Sequence, residues 1–428
     1  MTAFGTTTPV VERARALLER IDALNPRINA YVAVDRDAVM RDARALDAIP
    51  RDARGPLHGV TVGVKDIIDV AGLPTRAGSS FYRRDPDADA PVVAALRAAG
   101  ALIAGKTNTH EFAWGITTEN PHFGRTVNPW SSDGHDRTAG GSSGGSGAAV
   151  AAGLCDIALG TDTLGSIRIP SALNGISGIR PATGALPIDG IFPLAIGLDT
   201  VGPFARDMAT VQRVYEILSG ATMPAAQVRR VARLRGERWE RVDPAAASAL
   251  DAACAALRDA GIDVEDVAWW NEELVGALAV VQQRAAARTH DALYAANADA
   301  YGPDVGARVA TALTVTADAE SGARATIDRA RDTFAAMLDG YDVALAPIVG
   351  GEAPIMPAPP DFRANVIPLA TPASAFGVPA GAAPIGFGPA GMPLGMQLIA
   401  PHGEIAPVFA LGRAFQTVTD WHRRVPAL

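Results

Sequence analysis

The chain has 428 residues, of which 48% are hydrophobic and 20% are charged, a composition typical of a soluble globular protein and unlike that of a disordered one. Its formal net charge of −8 argues against a nucleic acid or an anionic membrane as a partner bound through a basic surface. A chain of this length can bury a substantial core, either as one large α/β domain or as two to three smaller domains.

The two cysteines and the first residues of the chain bear on its compartment. Cys155 and Cys254 lie in alanine-rich surroundings without metal-ligand spacing, so we expect buried thiols in a reducing environment. The first 25 residues become amphipathic at once and lack the apolar core of a signal peptide. No run approaches 18 consecutive apolar residues. The sequence therefore predicts a cytoplasmic protein without a membrane span.

Helices and strands are predicted to alternate along the chain. In chain order we predict a helix over 9–24, a strand over 59–68, a helix followed by a strand over 90–108, a helix followed by a strand over 243–268, and a strand over 340–348. Asp243 is predicted to be the N-cap of the third of these helices, with Pro244 at its first helical position. Such alternation indicates an α/β architecture with a largely parallel or mixed sheet.

Lysine occurs at only two positions, Lys65 and Lys106, while the other 36 of the 38 basic residues are arginine. A lysine amine can lose its proton where its surroundings disfavour the charge, whereas a guanidinium in a protein stays charged. Chance or packing would explain a lone lysine at position 65, and a general base there would explain why arginine does not replace it. For Lys106 we expect a structural role in bonding loop carbonyls.

The glycine- and serine-rich segment 138–153 can be interpreted in three ways. A flexible tether does not fit, because the segment runs directly into an apolar helix. A phosphate cradle lacks the lysine of the Walker pattern, and no dinucleotide fingerprint is present. Nucleophilic catalysis remains, since Ser142 and Ser166 lie in two glycine loops whose amides can stabilise an oxyanion. The seven histidines have no informative context, so a Ser–Lys arrangement with Lys65 as the base is favoured.

Four ordered motifs carry a family resemblance. They read GVTVGVKD, GKTNTHEFAWG, GGSSGGSGAAVAAG and GTDTLGSIRIPSALNGISGIRP, and a fifth run, TPASAFGVPAGAAPIGFGPAGMPLGMQLIAP, closes the set. Together they resemble the amidase signature family, over 10–415 and most densely over 56–205. The runs TTENPHFGRTVNP and SIRIP are most similar to small-amide hydrolases of the biuret-hydrolase type.

The resemblance implies one large α/β domain over 1–428, with a central mixed β-sheet flanked by helices on both faces. Within this amidase domain it implies a signature core over 56–205, a more variable helical section over 208–340, and a C-terminal part of the core over 341–428.

The resemblance also implies a Ser–cis-Ser–Lys triad that needs no cofactor and no metal. Ser166 matches the nucleophile, Ser142 matches the bridging serine of a cis peptide, and Lys65 matches the base. Further residues match the oxyanion hole, the side chains that support its loop, and the substrate-binding segment. The oxyanion hole is matched by Thr163, Leu164, Gly165 and Ser166. The supporting side chains are matched by Asp162, Arg168 and Ser143. The substrate-binding residues are matched by Ala113, Trp114, Gly140 and Gly141.

The activity implied is hydrolysis of a small or linear amide through an acyl-enzyme, which gives a carboxylate plus ammonia or an amine. The binding partner implied is the small-molecule amide substrate. The alternatives are an ammonia-donating amidotransferase subunit, an esterase or urethanase of the same chemistry, and a non-catalytic binding protein. Association into a homodimer stays open. Arg168, Ile169 and Pro170 stand where the tRNA amidotransferase subunit typically has Arg-Gln-Pro, which speaks against glutamine recognition.

Two residues depart from the family pattern or have a second interpretation. Leu164 stands where many members have glycine or another small or polar residue, and a positive φ there would cost a leucine roughly 1 kcal/mol or more. We hypothesise that Leu164 narrows the acyl pocket or makes it more apolar. For Trp114, packing in the core is an alternative to contact with substrate.

Overall fold

Eleven strands form one mixed sheet in the computed structural model of the protein, which describes residues 7–428. Together with two strands outside this sheet, the strands of residues 7–428 are thirteen: β1 Tyr31–Ala33, β2 Thr61–Lys65, β3 Leu102–Thr107, β4 Glu119–Asn120, β5 Gly124–Arg125, β6 Ile157–Asp162, β7 Ser177–Arg180, β8 Thr200–Ala205, β9 Arg230–Arg235, β10 Asp263–Ala268, β11 Val343–Pro347, β12 Ala380–Phe387 and β13 Pro393–Ile399. The pair β4 and β5 makes a separate two-stranded ribbon.

Helices pack around this sheet. They are α1 Val10–Ile28, α2 Arg36–Asp47, α3 Pro91–Ala98, α4 Gly144–Ala151, α5 Arg168–Asn174, α6 Met208–Ser219, α7 Glu237–Glu240, α8 Pro244–Asp259, α9 Glu272–Asn297, α10 Pro303–Ala312, α11 Ala317–Met337, α12 Phe362–Phe376 and α13 Ala406–Val418. Every residue of β2, β3, β6 and β8 is buried, because helices and loops cover both faces of the sheet there.

The sheet order explains where the ends of the strands lie. It runs β1-β3-β2-β6-β8-β7-β12-β13-β11-β9-β10. The pairs β2–β3, β2–β6, β9–β11 and β9–β10 are parallel, and the remaining pairs are antiparallel. The carboxyl ends of β2, β3 and β6 therefore meet at one edge of the sheet, and their amino ends meet at the opposite edge.

The predicted fold class, one large α/β domain with a mixed central sheet, is confirmed. The predicted helices correspond to α1, α3 and α8, and the predicted strands correspond to β2, β3, β10 and β11. The predicted start of α8 is confirmed, with Asp243 at the N-cap and Pro244 at the first helical position, although the Asp243 side chain forms no capping hydrogen bond. Within residues 7–428, no helix is long and apolar enough to cross a membrane.

Candidate active site

The candidate site lies where the carboxyl ends of three parallel strands meet. β2 ends at Lys65, β3 ends at Thr107 and β6 ends at Asp162. Adjacent parallel strands place their terminal side chains close together, and the crevice beyond such ends is where open α/β sheets bind ligands. Both glycine loops predicted from the sequence lead to this edge, one before α4 and the other between β6 and α5.

Lys65 is fully buried and faces two hydroxyl groups. Its Nζ is 2.8 Å from Ser142 Oγ and 2.8 Å from Thr161 Oγ1. No carboxylate oxygen of residues 7–428 lies within 4.0 Å of this nitrogen, the limit for an ion pair. Burial lowers the pKa of Lys65 from 10.5 to about 7, although the more distant Asp199 and Asp162 oppose the shift. A large fraction of this amine is therefore neutral at neutral pH and can accept a proton.

The second lysine has the opposite environment. Lys106 Nζ lies 3.2 Å from Asp66 Oδ1, and it donates hydrogen bonds to Thr75 Oγ1 at 2.8 Å and to the Pro74 carbonyl at 3.5 Å. Burial lowers the pKa of Lys106, and the Asp66 carboxylate counteracts this effect. An ion pair of this kind is structural, which agrees with the role expected from the sequence, although the sequence did not identify Asp66 as its partner.

The loop before α4 holds Ser142 against Lys65. The peptide bond between Gly141 and Ser142 is cis. The Ser142 carbonyl accepts hydrogen bonds from the His110 amide at 3.1 Å and from the hydroxyls of Thr109 and Thr118 at 3.0 and 3.3 Å. These bonds hold the backbone of the loop in the position from which the Ser142 hydroxyl reaches Lys65.

The glycines of this loop are required by backbone packing. A Cβ at Gly141 would lie 2.7 Å from the Thr117 amide nitrogen, and Gly140 adopts a φ of +75° with Pro170 close by. Ser143, predicted to support the site, accepts a hydrogen bond from the Thr161 amide and donates one to the Thr161 carbonyl. Ser143 thereby ties the loop to β6, next to the threonine that faces Lys65.

Ser166 lies in the turn that connects β6 to α5. Its side chain is almost completely buried, and its hydroxyl forms no hydrogen bond to Ser142 or to any other group of residues 7–428. The structure thus joins two members of the predicted triad, Lys65 and Ser142, by direct contact and leaves the Ser166 hydroxyl unpaired. A hydroxyl without an internal partner is available to a substrate.

Asp162 organises the turn that carries Ser166. Its carboxylate accepts hydrogen bonds from the amides of Gly165 and Ile167 at 2.8 and 3.2 Å and from the Arg168 guanidinium at 3.1 and 3.2 Å. Burial alone would raise the pKa of Asp162, but the charges of Arg168 and Arg180 outweigh it and hold the pKa at about 2. The carboxylate is therefore ionised at neutral pH, the form that accepts these hydrogen bonds.

The amides of this turn differ in their availability. The Gly165 amide is engaged by Asp162, whereas the amides of Thr163, Leu164 and Ser166 donate no hydrogen bond within the part of the chain that the structure describes. Three of the four amides predicted for the oxyanion hole are therefore free to face a developing negative charge. Leu164 is buried, and its φ is not positive, so the conformational strain considered for it does not arise.

Sequence reasoning missed three residues of the site. Thr161 contacts Lys65, and its place four residues after Ile157 in β6 gave no functional signal. Asp199 accepts a 2.6 Å hydrogen bond from Thr163 Oγ1 and further bonds from the amides of Leu194 and Ala195. Burial raises the pKa of Asp199 to about 6 despite these bonds. Arg180 donates a hydrogen bond to the Asp162 carbonyl at 2.7 Å. This contact joins two separate segments of the chain, so no local sequence pattern predicts it.

The two residues predicted to contact substrate from the HEFAW segment have different surroundings. Ala113 lines a very small cavity of about 10 Å³, enough for roughly one water molecule, together with Thr161, Thr163 and Asp199. Trp114 is buried, and its ring centroid lies 5.9 Å from that of His290, within a cluster of aromatic rings. Core packing, the alternative considered for Trp114, accounts for this contact. Among residues 7–428 no group of three or more His, Cys, Asp or Glu side chains is arranged to hold a metal ion.

A comparison with protein families places these residues in a known context. The family model described as Amidase matches residues 12–404, which include the whole candidate site. The chain belongs to the amidase signature family.

Relatives of this amidase signature protein are similar to it over nearly their whole length. It is 33% identical over 469 residues to a glutamyl-tRNA(Gln) amidotransferase subunit of Roseiflexus sp. strain RS-1, and the match covers 98% of this chain and 95% of the relative. A crystal structure described as an amidase superposes with a TM-score of 0.90 at 33% identity, covering 96% of both chains. The peptide amidase solved with the competitive inhibitor chymostatin gives a TM-score of 0.84 at 27% identity, covering 98% and 96% of the two chains.

Proposed function

We propose that this protein hydrolyses an amide bond through an acyl-enzyme on Ser166, with Ser142 and Lys65 transferring the protons. The observation that carries the proposal is the buried Lys65 amine, which lies 2.8 Å from Ser142 Oγ without a neighbouring carboxylate to keep it charged. A neutral amine in hydrogen-bond reach of a hydroxyl is what a general base requires. Membership in the amidase signature family supports carbon–nitrogen hydrolysis as the reaction class.

We propose the following proton transfers, for which the contact between Lys65 and Ser142 is the structural support. Ser166 Oγ attacks the amide carbonyl and gives its proton to Ser142 Oγ, while Ser142 gives its own proton to Lys65 Nζ. The tetrahedral oxyanion accepts hydrogen bonds from the amides of Thr163, Leu164 and Ser166. The carbon–nitrogen bond then breaks, and the proton held by Lys65 returns through Ser142 to the leaving nitrogen. A water molecule attacks the resulting ester along the same route and releases the carboxylate and Ser166.

The first candidate substrate is a small or linear amide. Its support is the likeness to the solved amidase and to the peptide amidase, together with Ile169 in the position where glutamine was expected for a glutamine-specific relative. The side chain of Ile169 packs against Gly165 in the turn that carries Ser166, so the residue at this position is apolar and buried.

The second candidate is an ammonia-supplying component of an amidotransferase, and the curated relatives favour it over a free-standing amidase. The relative from Roseiflexus is one subunit of a glutamyl-tRNA(Gln) amidotransferase and matches 98% of this chain. In that function Ser166 is acylated by the side-chain amide of glutamine, and the ammonia that is released passes to a partner protein.

Release of ammonia and amines from a panel of substrates tests the chemistry and separates the candidates. The panel contains biuret, aliphatic amides, aryl amides, their ester counterparts and glutamine. Wild type is compared with Ser166→Ala and, as a control, with Ser321→Ala at an exposed position of α11. Hydrolysis by wild type and the control that disappears in Ser166→Ala supports the proposal. Hydrolysis that persists in Ser166→Ala contradicts it.

The choice of substrate decides between the two candidates. Turnover of small amides without a partner, and little turnover of glutamine, supports the free-standing hydrolase. Glutaminase activity that increases when the protein is purified together with an associated partner supports the amidotransferase function.

A further inference from the structure

A cleft of about 770 Å³ lies at the edge of the sheet opposite the candidate active site. Thr61, the first residue of β2, lines it, whereas Lys65 at the other end of the same strand belongs to the active site. Asp156 lines the cleft just before β6, and Asp162 ends that strand about 20 Å away, at ~3.3 Å per residue. The cleft is therefore separate from the site proposed to hydrolyse amides, and its volume falls within the range of small-molecule pockets.

Positively charged side chains predominate in this cleft. We call it the arginine cleft. Its arginine, aspartate and histidine residues are Arg13, Arg20, Asp156, Arg206, Asp207, His422 and Arg423. Four arginines thus face two aspartates, an excess of two positive charges in a chain whose formal net charge is −8. None of the four arginines has a carboxylate oxygen of residues 7–428 within 4.0 Å, so no ion pair neutralises them.

The two aspartates are already held by neutral donors. Asp156 accepts hydrogen bonds from the amide and the hydroxyl of Thr61, at 2.9 and 2.7 Å. Asp207 caps α6 by accepting the Thr210 amide at 2.7 Å. Both carboxylates reduce the positive potential of the cleft, but neither accepts a hydrogen bond from its guanidinium groups. Those donors therefore stay available for another anion.

Two of the arginines are fixed in place by carbonyl groups at the carboxyl end of α4. Arg20 donates from Nε and Nη2 to the Ala152 carbonyl at 2.9 and 2.7 Å, and Arg206 donates from Nη2 to the Ala151 carbonyl at 3.0 Å. A guanidinium carries five N–H donors, so each retains donors that these bonds do not use. Burial lowers the pKa of Arg206, and the nearby charge of Arg20 lowers it further. Two like charges are therefore held close together.

Some buried nitrogen atoms of the residues that line this cleft have no hydrogen-bond partner. Nε and Nη1 of Arg13 and Nδ1 of His422 are buried and form no hydrogen bond. A buried donor that stays unpaired destabilises the protein, and an anionic oxygen is the strongest acceptor that could satisfy it. The apolar wall formed by Ala16, Leu17 and Val425 leaves room for an organic body beside the charged groups.

We infer that the arginine cleft binds a small organic polyanion, whose carboxylate or phosphate oxygens accept hydrogen bonds from Arg13, Arg20 and Arg206. The neighbouring guanidinium groups of Arg20 and Arg206, the engaged aspartates and the unpaired Nε and Nη1 of Arg13 all point to this one class of ligand. Guanidinium forks suit planar, bidentate recognition of both kinds of oxyanion. The inference does not depend on the proposed amide hydrolysis.

Isothermal titration calorimetry of the full chain with citrate and with pyrophosphate tests the inference, because the first carries only carboxylates and the second only phosphates. Wild type should bind at least one of them with submillimolar affinity, and the one that binds identifies the group recognised. Arg20→Gln and Arg206→Gln should each weaken binding about tenfold, the effect of losing one charge-assisted hydrogen bond. Arg15→Gln is the matched control, since Arg15 is exposed on α1 and does not line the cleft.

Three further results make the outcome decisive. Circular dichroism and thermal unfolding establish that each variant is folded, and Arg423→Gln, at an exposed position in the cleft, takes the place of Arg206→Gln if that variant does not fold. Binding should weaken as NaCl is raised, because salt screens the charges of a partly open cleft. Absence of binding of both anions at millimolar concentration, or binding that the cleft variants leave unchanged, overturns the inference.

Discussion

Replacing Lys65 by methionine should stabilise the protein while abolishing its proposed activity. The unfolded chain binds a proton on Lys65 with a pKa near 10.5, whereas burial lowers the pKa to about 7 in the folded protein. Each pH unit between the two pKa values corresponds to about 1.36 kcal/mol, so the buried amine costs the folded state about 5 kcal/mol at or below neutral pH. Methionine fills a similar volume and carries no charge.

Part of this gain is lost to the two hydroxyls that Lys65 contacts. Ser142 and Thr161 would each lose a buried hydrogen-bond partner, at roughly 1 kcal/mol apiece. We therefore expect Lys65→Met to raise the free energy of unfolding by about 2–3 kcal/mol at pH 7. Urea denaturation followed by circular dichroism measures the difference.

The dependence of this difference on pH identifies its cause. Between about pH 7 and 10.5 the unfolded wild type holds more protons than the folded one, so its stability rises with pH. The advantage of Lys65→Met should accordingly be largest at and below pH 7 and should shrink by about 1.4 kcal/mol for each pH unit above it. An advantage that does not change between pH 7 and 9 would refute the reasoning.

Lys106→Met is the matched control, because it removes the other buried lysine. Lys106 is paired with Asp66 at 3.2 Å, so methionine at this position leaves a carboxylate buried without its counter-charge. We expect a loss of about 3–5 kcal/mol, opposite in sign to the effect at Lys65. If both variants changed the free energy of unfolding in the same direction, the ion pair with Asp66 would not be what distinguishes the two lysines.

Three further predictions concern the rate, the turn and the acyl pocket. The value of kcat/KM should rise with pH through about 7, where Lys65 loses its proton, and an ammonia-release assay from pH 5.5 to 9 would contradict this if the rate fell over that interval. Asp162→Asn should destabilise the protein by about 3–5 kcal/mol in urea denaturation, because Arg168 loses its buried counter-charge, whereas Asp22→Asn at an exposed ion pair should change stability by less than ~1 kcal/mol. Leu164→Gly should change the ratio of kcat/KM for a bulky and a small acyl group about tenfold, and an unchanged ratio would refute a role of Leu164 in the pocket.

The elements around Lys65 could be predicted because their signals are local. The apolar run before Lys65 predicts a buried strand, and the glycine stop at Gly100 separates a helix from the strand that carries Lys106. These signals depend on residues that are adjacent in sequence, so β2, α3 and β3 were predicted close to their observed bounds. The order of the motifs was enough to predict the family and hence the mixed sheet.

The supporting contacts of the site could not be predicted, because they join distant segments. Asp199 meets Thr163 across 36 positions, and nothing in the run GLDTVGP marks that aspartate as buried. The ion pair of Lys106 with Asp66 depends on the parallel pairing of β2 with β3. The same reason hid the arginine cleft, whose residues come from α1, from the ends of β6 and β8 and from the C-terminal residues.

The central claim, that Ser166 is the nucleophile activated through Ser142 and Lys65, is tested most directly by labelling with a fluorophosphonate probe followed by peptide mass spectrometry. The account predicts a single adduct on Ser166, rapid in wild type, absent in Ser166→Ala and strongly slowed in Lys65→Met, which should remain folded. An adduct on a different serine, or wild type that hydrolyses amides without any adduct on Ser166, would contradict the account.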